Sequence, residues 1–204
     1  MPKLAPRKQH ERREHFLDCA ERCFIEKGFR TTTMDDICRE AASSTGALYG
    51  YFRSKEELVC GLCERESARF GKQLSEVAEA PDFLAALRTM AERFCEEPIG
   101  KVRLHVEIAA EASRNEAVSK TMREMDKVFS NSFIKLLERE RDCGRVQPKL
   151  AIPAVVQAIS VLGKGLFSRR ALYPEPSAAA FVPAIMAMVS ALLVPTSSAY
   201  PPEF

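Results

Sequence analysis

Glycine is scarce in this sequence, with nine in 204 residues, and no segment alternates apolar and polar residues as a half-buried strand does. Only three histidines are present, and the spacing of His10, His15 and His105 does not match that of metal ligands. The sequence also lacks a nucleophile elbow, a phosphate-binding loop and a dinucleotide fingerprint. These absences argue against a β-rich fold, a histidine metal site and an enzyme, and we predict no cofactor.

A large net charge is absent too. The formal charge is +2, so overall charge does not single out nucleic acid as a partner. The basic residues are nevertheless concentrated at the start, where residues 3–13 hold five of them against one acid, Glu11. A basic arm before a neutral body suits contact with phosphate groups, and Arg7 and Lys8 are its predicted contacts. The alternative is a terminus that is only solvated.

A secretory signal is not predicted, because the opening MPKLAPRKQH has no apolar region. Residues 178–194, AAAFVPAIMAMVSALLV, carry no charge and are about long enough to cross most of a membrane. They are rich in alanine, however, contain Pro183, and lack a flanking basic cluster or aromatic belt. We therefore interpret them as a helix buried at a subunit interface of a cytoplasmic protein. A membrane-anchored helical protein is the alternative.

Helical periodicity recurs along the chain and predicts an all-α fold of about nine helices. The first helix should end at Gly28, after the cation Lys27. Thr33 with Asp36 forms a variant of the capping box and opens a short second helix through about Ala41.

The later helices are predicted from the same kinds of signal. Ser44 can cap a third helix through Phe52, and Ser54 with Glu57 can cap a long fourth one. Caps and breakers predict the fourth and the remaining helices over about 55–79, 82–96, 101–114, 116–142, 153–172 and 178–194.

The second and third predicted helices are separated by about three residues, which is the spacing of a helix-turn-helix motif. In that motif the second helix enters the DNA major groove, and small side chains at its start allow close approach to base edges and phosphates. The chain has four such residues there, Ser44, Thr45, Gly46 and Ala47.

Tyrosines and flanking residues extend this predicted surface. Tyr49 and Tyr51 can send hydroxyl groups to phosphates, although either ring could instead join a core with Leu48. Thr32 and Thr33 offer N–H and hydroxyl groups at the start of the second helix. Lys55 places a charge where the DNA backbone should pass; a cap at Thr33 and a solvated lysine are the alternative interpretations.

These residues resemble the TetR family of transcriptional repressors, through GFRTTTMDDIC (28–38), STGALYGYF (44–52) and SKEELV (54–59). The resemblance implies a three-helix DNA-binding head, placed at residues 10–70, on an all-α body for ligand binding and dimerisation, placed at 80–194. It further implies a homodimer through the last two helices that binds a palindromic operator and represses transcription. A small-molecule effector would act on it through the helix 55–79. A ligand-independent or thiol-redox-responsive regulator is the alternative.

Three positions depart from the family pattern. Ala42 stands where the turn usually has glycine, and a positive φ there would cost about 1 kcal/mol. Ser43 replaces an apolar residue, and Gly50 replaces a residue that is often large. These departures bear on the exact set of DNA contacts.

If residues 80–194 enclose a ligand, apolar and aromatic helix faces should line the chamber. The alternative is that these side chains are ordinary core. The candidates are Phe83, Leu87, Met90, Phe94, His105, Ile108, Met122, Met125, Phe129, Phe133, Gln157 and Phe167.

The seven cysteines show no disulfide framework, which favours free thiols in an intracellular protein. Cys60 and Cys63 form a C-x-x-C pair, and Cys19 and Cys23 lie four apart on the first helix. Because the first and fourth helices should pack together, these four are a candidate thiol sensor or zinc site. Small core residues are the alternative, and we predict no metal.

Overall fold

The computed structural model describes residues 6–173 and 178–194. Within these ranges the chain forms nine α-helices and no strand, which confirms the predicted all-α class. The helices are α1 (Pro6–Lys27), α2 (Met34–Glu40), α3 (Thr45–Tyr49), α4 (Lys55–Glu79), α5 (Phe83–Cys95), α6 (Ile99–Ala112), α7 (Glu116–Asp142), α8 (Ile152–Leu172) and α9 (Val182–Leu193), with a 3-10 turn at Ala178–Phe181.

Local caps explain most of these boundaries. Gly28 ends α1 with φ +84°, a conformation that favours glycine. The Thr33 hydroxyl accepts from the Asp36 N–H at 3.1 Å while the Asp36 carboxylate accepts from the Thr33 N–H at 2.9 Å, so the predicted capping box is confirmed. Asp82 and Asn115 cap α5 and α7 through their side-chain oxygens.

Two predicted boundaries are wrong by part of a helix. Helix α3 ends at Tyr49 rather than Phe52, because the N–H groups of Tyr51 and Phe52 both converge on the Leu48 carbonyl and close the helix. The helix predicted over 178–194 begins as the 3-10 turn and becomes α9 only at Val182. No helix in the described part of the chain is long and apolar enough to cross a membrane.

The chain forms two compact units. Unit 1 comprises residues 6–66 and 100–125, and unit 2 comprises 67–99, 126–173 and 178–194. The core of unit 1 combines the first three helices and the start of α4 with apolar residues from further along the chain, Leu104, Ile108 and Val118. The core of unit 2 is built from α4, α5, α7, α8 and α9. The assignment of separate functions to 10–70 and 80–194 stays a prediction.

Candidate nucleic-acid interface

Helices α2 and α3 are joined by a tight turn over residues 41–44. The Ala42 N–H donates to the Arg39 carbonyl at 3.1 Å, and the Ser43 N–H donates to the Cys38 carbonyl at 3.0 Å. Beneath the turn, Ile37 of α2 and Leu48 of α3 are fully buried in the core of unit 1. This packing fixes the orientation of α3 relative to α2.

Ala42 adopts φ +45°, so the turn does need the left-handed conformation that glycine supplies more easily. We expect Ala42→Gly to raise the free energy of unfolding by about 0.5–1 kcal/mol, because relief of the left-handed strain exceeds the added entropy of the unfolded chain. Urea unfolding followed by circular dichroism would measure it. A destabilised variant would contradict this interpretation of the turn.

The start of α3 is exposed, as a DNA-reading helix requires. The Ser44 hydroxyl caps α3 by accepting from the Ala47 N–H at 3.3 Å, and Thr45 and Gly46 are exposed beside it. No atom lies within 4 Å of the position that a Cβ would take at Gly46. Tyr49 is 46% exposed on the same helix. Small and polar side chains therefore surround an open approach to this helix end.

Ala47 and Tyr51 are less accessible to DNA than the other candidates in and beside α3. Both are half-buried against the core of unit 1, and the Tyr51 ring centroid lies 5.5 Å from that of Phe16. The ring of Tyr51 therefore belongs to the edge of the core, which was the alternative interpretation. A contact between its hydroxyl and DNA stays a prediction.

The two threonines before α2 have different environments. Thr33 is exposed and caps α2. Thr32 is only 1% exposed, and its hydroxyl donates to the carbonyl oxygens of Gly28 at 2.8 Å and Cys23 at 3.1 Å. Its N–H donates to the Gly28 carbonyl as well. The proposed interface therefore does not include Thr32, because carbonyl oxygens inside the protein already accept from both its hydroxyl and its N–H.

Lys55 is engaged within the protein. Its Nζ donates to the carbonyl oxygens of Phe29 at 2.7 Å and Arg30 at 3.1 Å and lies 4.8 Å from the centre of the Phe29 ring. The half-buried amine thus caps the loop between α1 and α2. A phosphate contact by Lys55 stays a prediction, and it would have to be made by an amine that already holds this loop.

A carboxylate from α6 holds the same loop from another side. The Phe29 N–H donates to Glu107 Oε1 at 2.9 Å, and Arg30 pairs with Glu111 at 3.2 Å. We call Lys55 and Glu107 the loop clamp, because one takes the loop's carbonyl oxygens and the other its N–H. No local signal predicts this role of Glu107, because it lies 78 residues from Phe29 in the sequence.

The basic arm is the first part of α1. Lys8 is exposed, and Arg7 is exposed with its guanidinium 2.8 Å from Glu11. Exposed ion pairs of this kind contribute little stability, so Arg7 remains available to a phosphate.

Exposed charges on α2 were not predicted as functional. Asp35 and Arg39 line an open cleft of about 620 Å³ together with residues 42–45 of the turn and α3. Asp36 differs from Asp35, since the Lys27 amine and the Thr33 groups beside it hold the pKa of its carboxyl far below the usual range. A spacing of four on an exposed helix face was the available signal for Asp35 and Arg39.

The profile of the family described as "Bacterial regulatory proteins, tetR family" matches residues 16–60, which span α1 to the start of α4. The HTH-type transcriptional regulator UidR of Escherichia coli K12 is 24% identical over 181 residues, 89% of this chain and 92% of the relative. Residues 16–60 therefore form a TetR-family DNA-binding domain. The HTH-type transcriptional repressor NemR of the same strain is 27% identical over 143 residues, covering 67% of this chain and 70% of NemR.

The TetR-family fold extends over both units. The structure of the SmeT–triclosan complex matches with a TM-score of 0.74 at 20% identity, covering 95% of this chain and 100% of the other. The matched domain and the curated regulators together show that the chain is a DNA-binding transcriptional regulator, and α2 and α3 form its helix-turn-helix.

The predicted ligand-chamber residues lie in both units of the structure, and their role as a ligand lining stays a prediction. Ile108, Met122 and Met125 pack in or against the core of unit 1, to which His105 also belongs by sequence position. Gln157 is exposed on α8. The remaining candidates lie in unit 2, and they are Phe83, Leu87, Met90, Phe94, Phe129, Phe133 and Phe167.

The predicted thiol sensor is built mostly of buried cysteines. Burial raises the pKa of Cys63 to about 12 and raises the pKa of Cys19 and Cys23 as well. A raised pKa disfavours the reactive thiolate, so these three behave as core residues. Cys60 is half-buried with its sulfur 2.8 Å from the Thr121 hydroxyl, and a sensing role for it stays a prediction. Among the described residues, no group of three or more metal-ligand side chains is placed to hold an ion.

Proposed function

We propose that this TetR-family protein is a cytoplasmic homodimer that represses transcription from a palindromic operator until a small molecule releases it. The observation that carries the proposal is the open N-terminus of α3, held in place by the buried Leu48 beneath it. Two copies related by a two-fold axis would present two such helix ends to successive major grooves of a palindrome.

Dimerisation through the last two helices is supported by exposed apolar surface in unit 2. Helix α9 has no charged residue, and Met188 is 44% exposed on it. On α8, Val161 is 63% exposed and Leu172 is 74% exposed. Apolar patches of this kind in a single chain mark interaction surfaces. A second copy, packed through the same patches around a two-fold axis, would remove the apolar surface of both chains from water.

Aromatic packing in unit 2 supports an apolar effector. The Phe129 ring lies 4.4 Å from that of Phe70 and 5.9 Å from that of Phe133, centroid to centroid, and Phe94 lies 4.4 Å from Phe167. Phe70, Met90 and Phe129 are only half-buried, so side-chain rotation could open space for a ligand. The SmeT relative is seen with triclosan, an aromatic compound of the class that we propose here.

Protection of DNA upstream of the protein's own gene would test operator binding. We expect Tyr49→Ala to weaken operator affinity about tenfold, the equivalent of one or more lost phosphate contacts. Tyr173→Ala is the matched control, because Tyr173 is 59% exposed but lies in unit 2. An effector should release the protected DNA while it raises the melting temperature. Equal affinities of the wild type and the Tyr49 variant would remove Tyr49 from the interface, and absence of any protected site would refute the function.

A further inference from the structure

The cleft beside the start of α3 contains a carboxylate without a side-chain partner. Asp35 is exposed, and within residues 6–173 and 178–194 no hydrogen bond or ion pair engages its carboxylate. The carboxylate of its neighbour Asp36, in contrast, accepts hydrogen bonds from Thr33, Lys27 and Arg39. The two adjacent acids therefore differ: Asp36 is held in the capping box, whereas the Asp35 carboxylate interacts only with the dipole of the first turn of α2.

A free carboxylate is unfavourable on a surface that approaches DNA. Every phosphate repels it, so it lowers the affinity for any duplex unless a specific donor compensates. Helix α2 does not need Asp35 for capping, because Thr33 and Asp36 already form a complete box. The position of Asp35 in the cleft with Thr45 of α3 places it at the opening through which bases would be read.

Only two base groups in the major groove donate hydrogen bonds, the amino groups of cytosine and adenine. Adenine presents the N7 acceptor beside its amino group, and that acceptor repels a carboxylate. Cytosine presents the donor without an adjacent acceptor of its own, so it is the better match. Arg39 lies one turn from Asp35 on the same face of α2, with its side chain 76% exposed, where a guanidinium can donate to guanine.

We propose that Asp35 is a specificity-determining residue that accepts a hydrogen bond from a cytosine amino group, with Arg39 donating to a guanine nearby. This rests on the proposed function as a DNA-binding regulator and adds a second reading helix to it. Asp35 excludes wrong sequences by charge repulsion as much as it selects the right one by hydrogen bonding. The expected operator half-site has G·C pairs at the positions that face α2.

Selection of bound sequences from a randomised duplex pool, with the full chain, tests this. The wild type should prefer cytosine at one position of each half-site by about 5- to 150-fold, the usual range for one base contact. Asp35→Ala should reduce that preference to under about threefold and raise affinity for random DNA severalfold. Asp35→Asn should move the preference toward adenine, which asparagine matches.

Glu40→Gln is the matched control. It removes the same charge from the same helix, but Glu40 pairs with Arg22 of α1 and does not line the cleft. Its selected sequence should equal that of the wild type. If both Asp35 variants also select the wild-type sequence with unchanged preference, the inference is overturned while the proposed function stands. If the wild type selects no sequence at all, the proposed function fails and the inference fails with it.

Discussion

Glu107→Ala is expected to lower the free energy of unfolding by about 1.5–3 kcal/mol, the range for a lost hydrogen bond to a charged group. The Phe29 N–H would lose its acceptor at 2.9 Å, and water would replace it poorly because Phe29 is buried. A less ordered loop should also weaken the hydrogen bonds of Thr33, the residue that caps α2. We therefore expect faster hydrogen exchange of the Phe29 amide and a lower operator affinity.

Two variants of α6 serve as controls for the loop clamp. Glu107→Gln keeps an oxygen that can accept from Phe29, so it should retain most of the stability. Glu111→Ala removes a carboxylate one turn further along α6. That carboxylate pairs with Arg30, whose side chain is 62% exposed, so its loss should cost under about 1 kcal/mol. Equal losses of unfolding free energy in all three variants would show that the hydrogen bond to the Phe29 N–H does not account for the stability that Glu107 provides.

Gly61→Val is expected to lower the free energy of unfolding by about 2–3 kcal/mol, because it overfills the contact between α1 and α4. A Cβ at Gly61 would lie 2.8 Å from Leu17 Cδ2 and 3.2 Å from Phe52 Cε1. Leu17 is fully buried and Phe52 nearly so, and neither can retreat without disturbing the core. Valine's better helix propensity offsets only a few tenths of a kcal/mol of this cost.

Gly71→Val on the same helix is the matched control. No atom lies within 4 Å of the position that a Cβ would take there, so the change in unfolding free energy should stay within about 0.5 kcal/mol. Chemical denaturation of both variants would compare them directly. If Gly61→Val matched Gly71→Val in stability, the close approach of α1 to α4 at Gly61 would be contradicted.

Features set by neighbouring residues could be predicted from the sequence. Gly28 at the end of α1, the box of Thr33 with Asp36, and Asp82 at the start of α5 are local signals, and the structure confirms each. The helix-turn-helix was predictable for the same reason, because its turn and caps lie within about 20 residues.

Features set by distant residues could not be predicted in the same way. Thr32 and Thr33 have identical side chains, and only the packing of α1 against α2 decides that one is buried and the other exposed. Lys55 matches the family motif for a phosphate contact, but carbonyl oxygens of Phe29 and Arg30 engage its amine. Helical spacing predicts the ligand-chamber candidates, but it identifies a buried face without identifying the core that this face joins.

The distant contributions of Leu104, Ile108 and Val118 to the core of unit 1 limit how this protein can be recombined. A hybrid regulator made by transplanting residues 6–66 alone would leave that core partly unfilled and the Phe29 N–H without its acceptor. The transplant must therefore include residues 100–125.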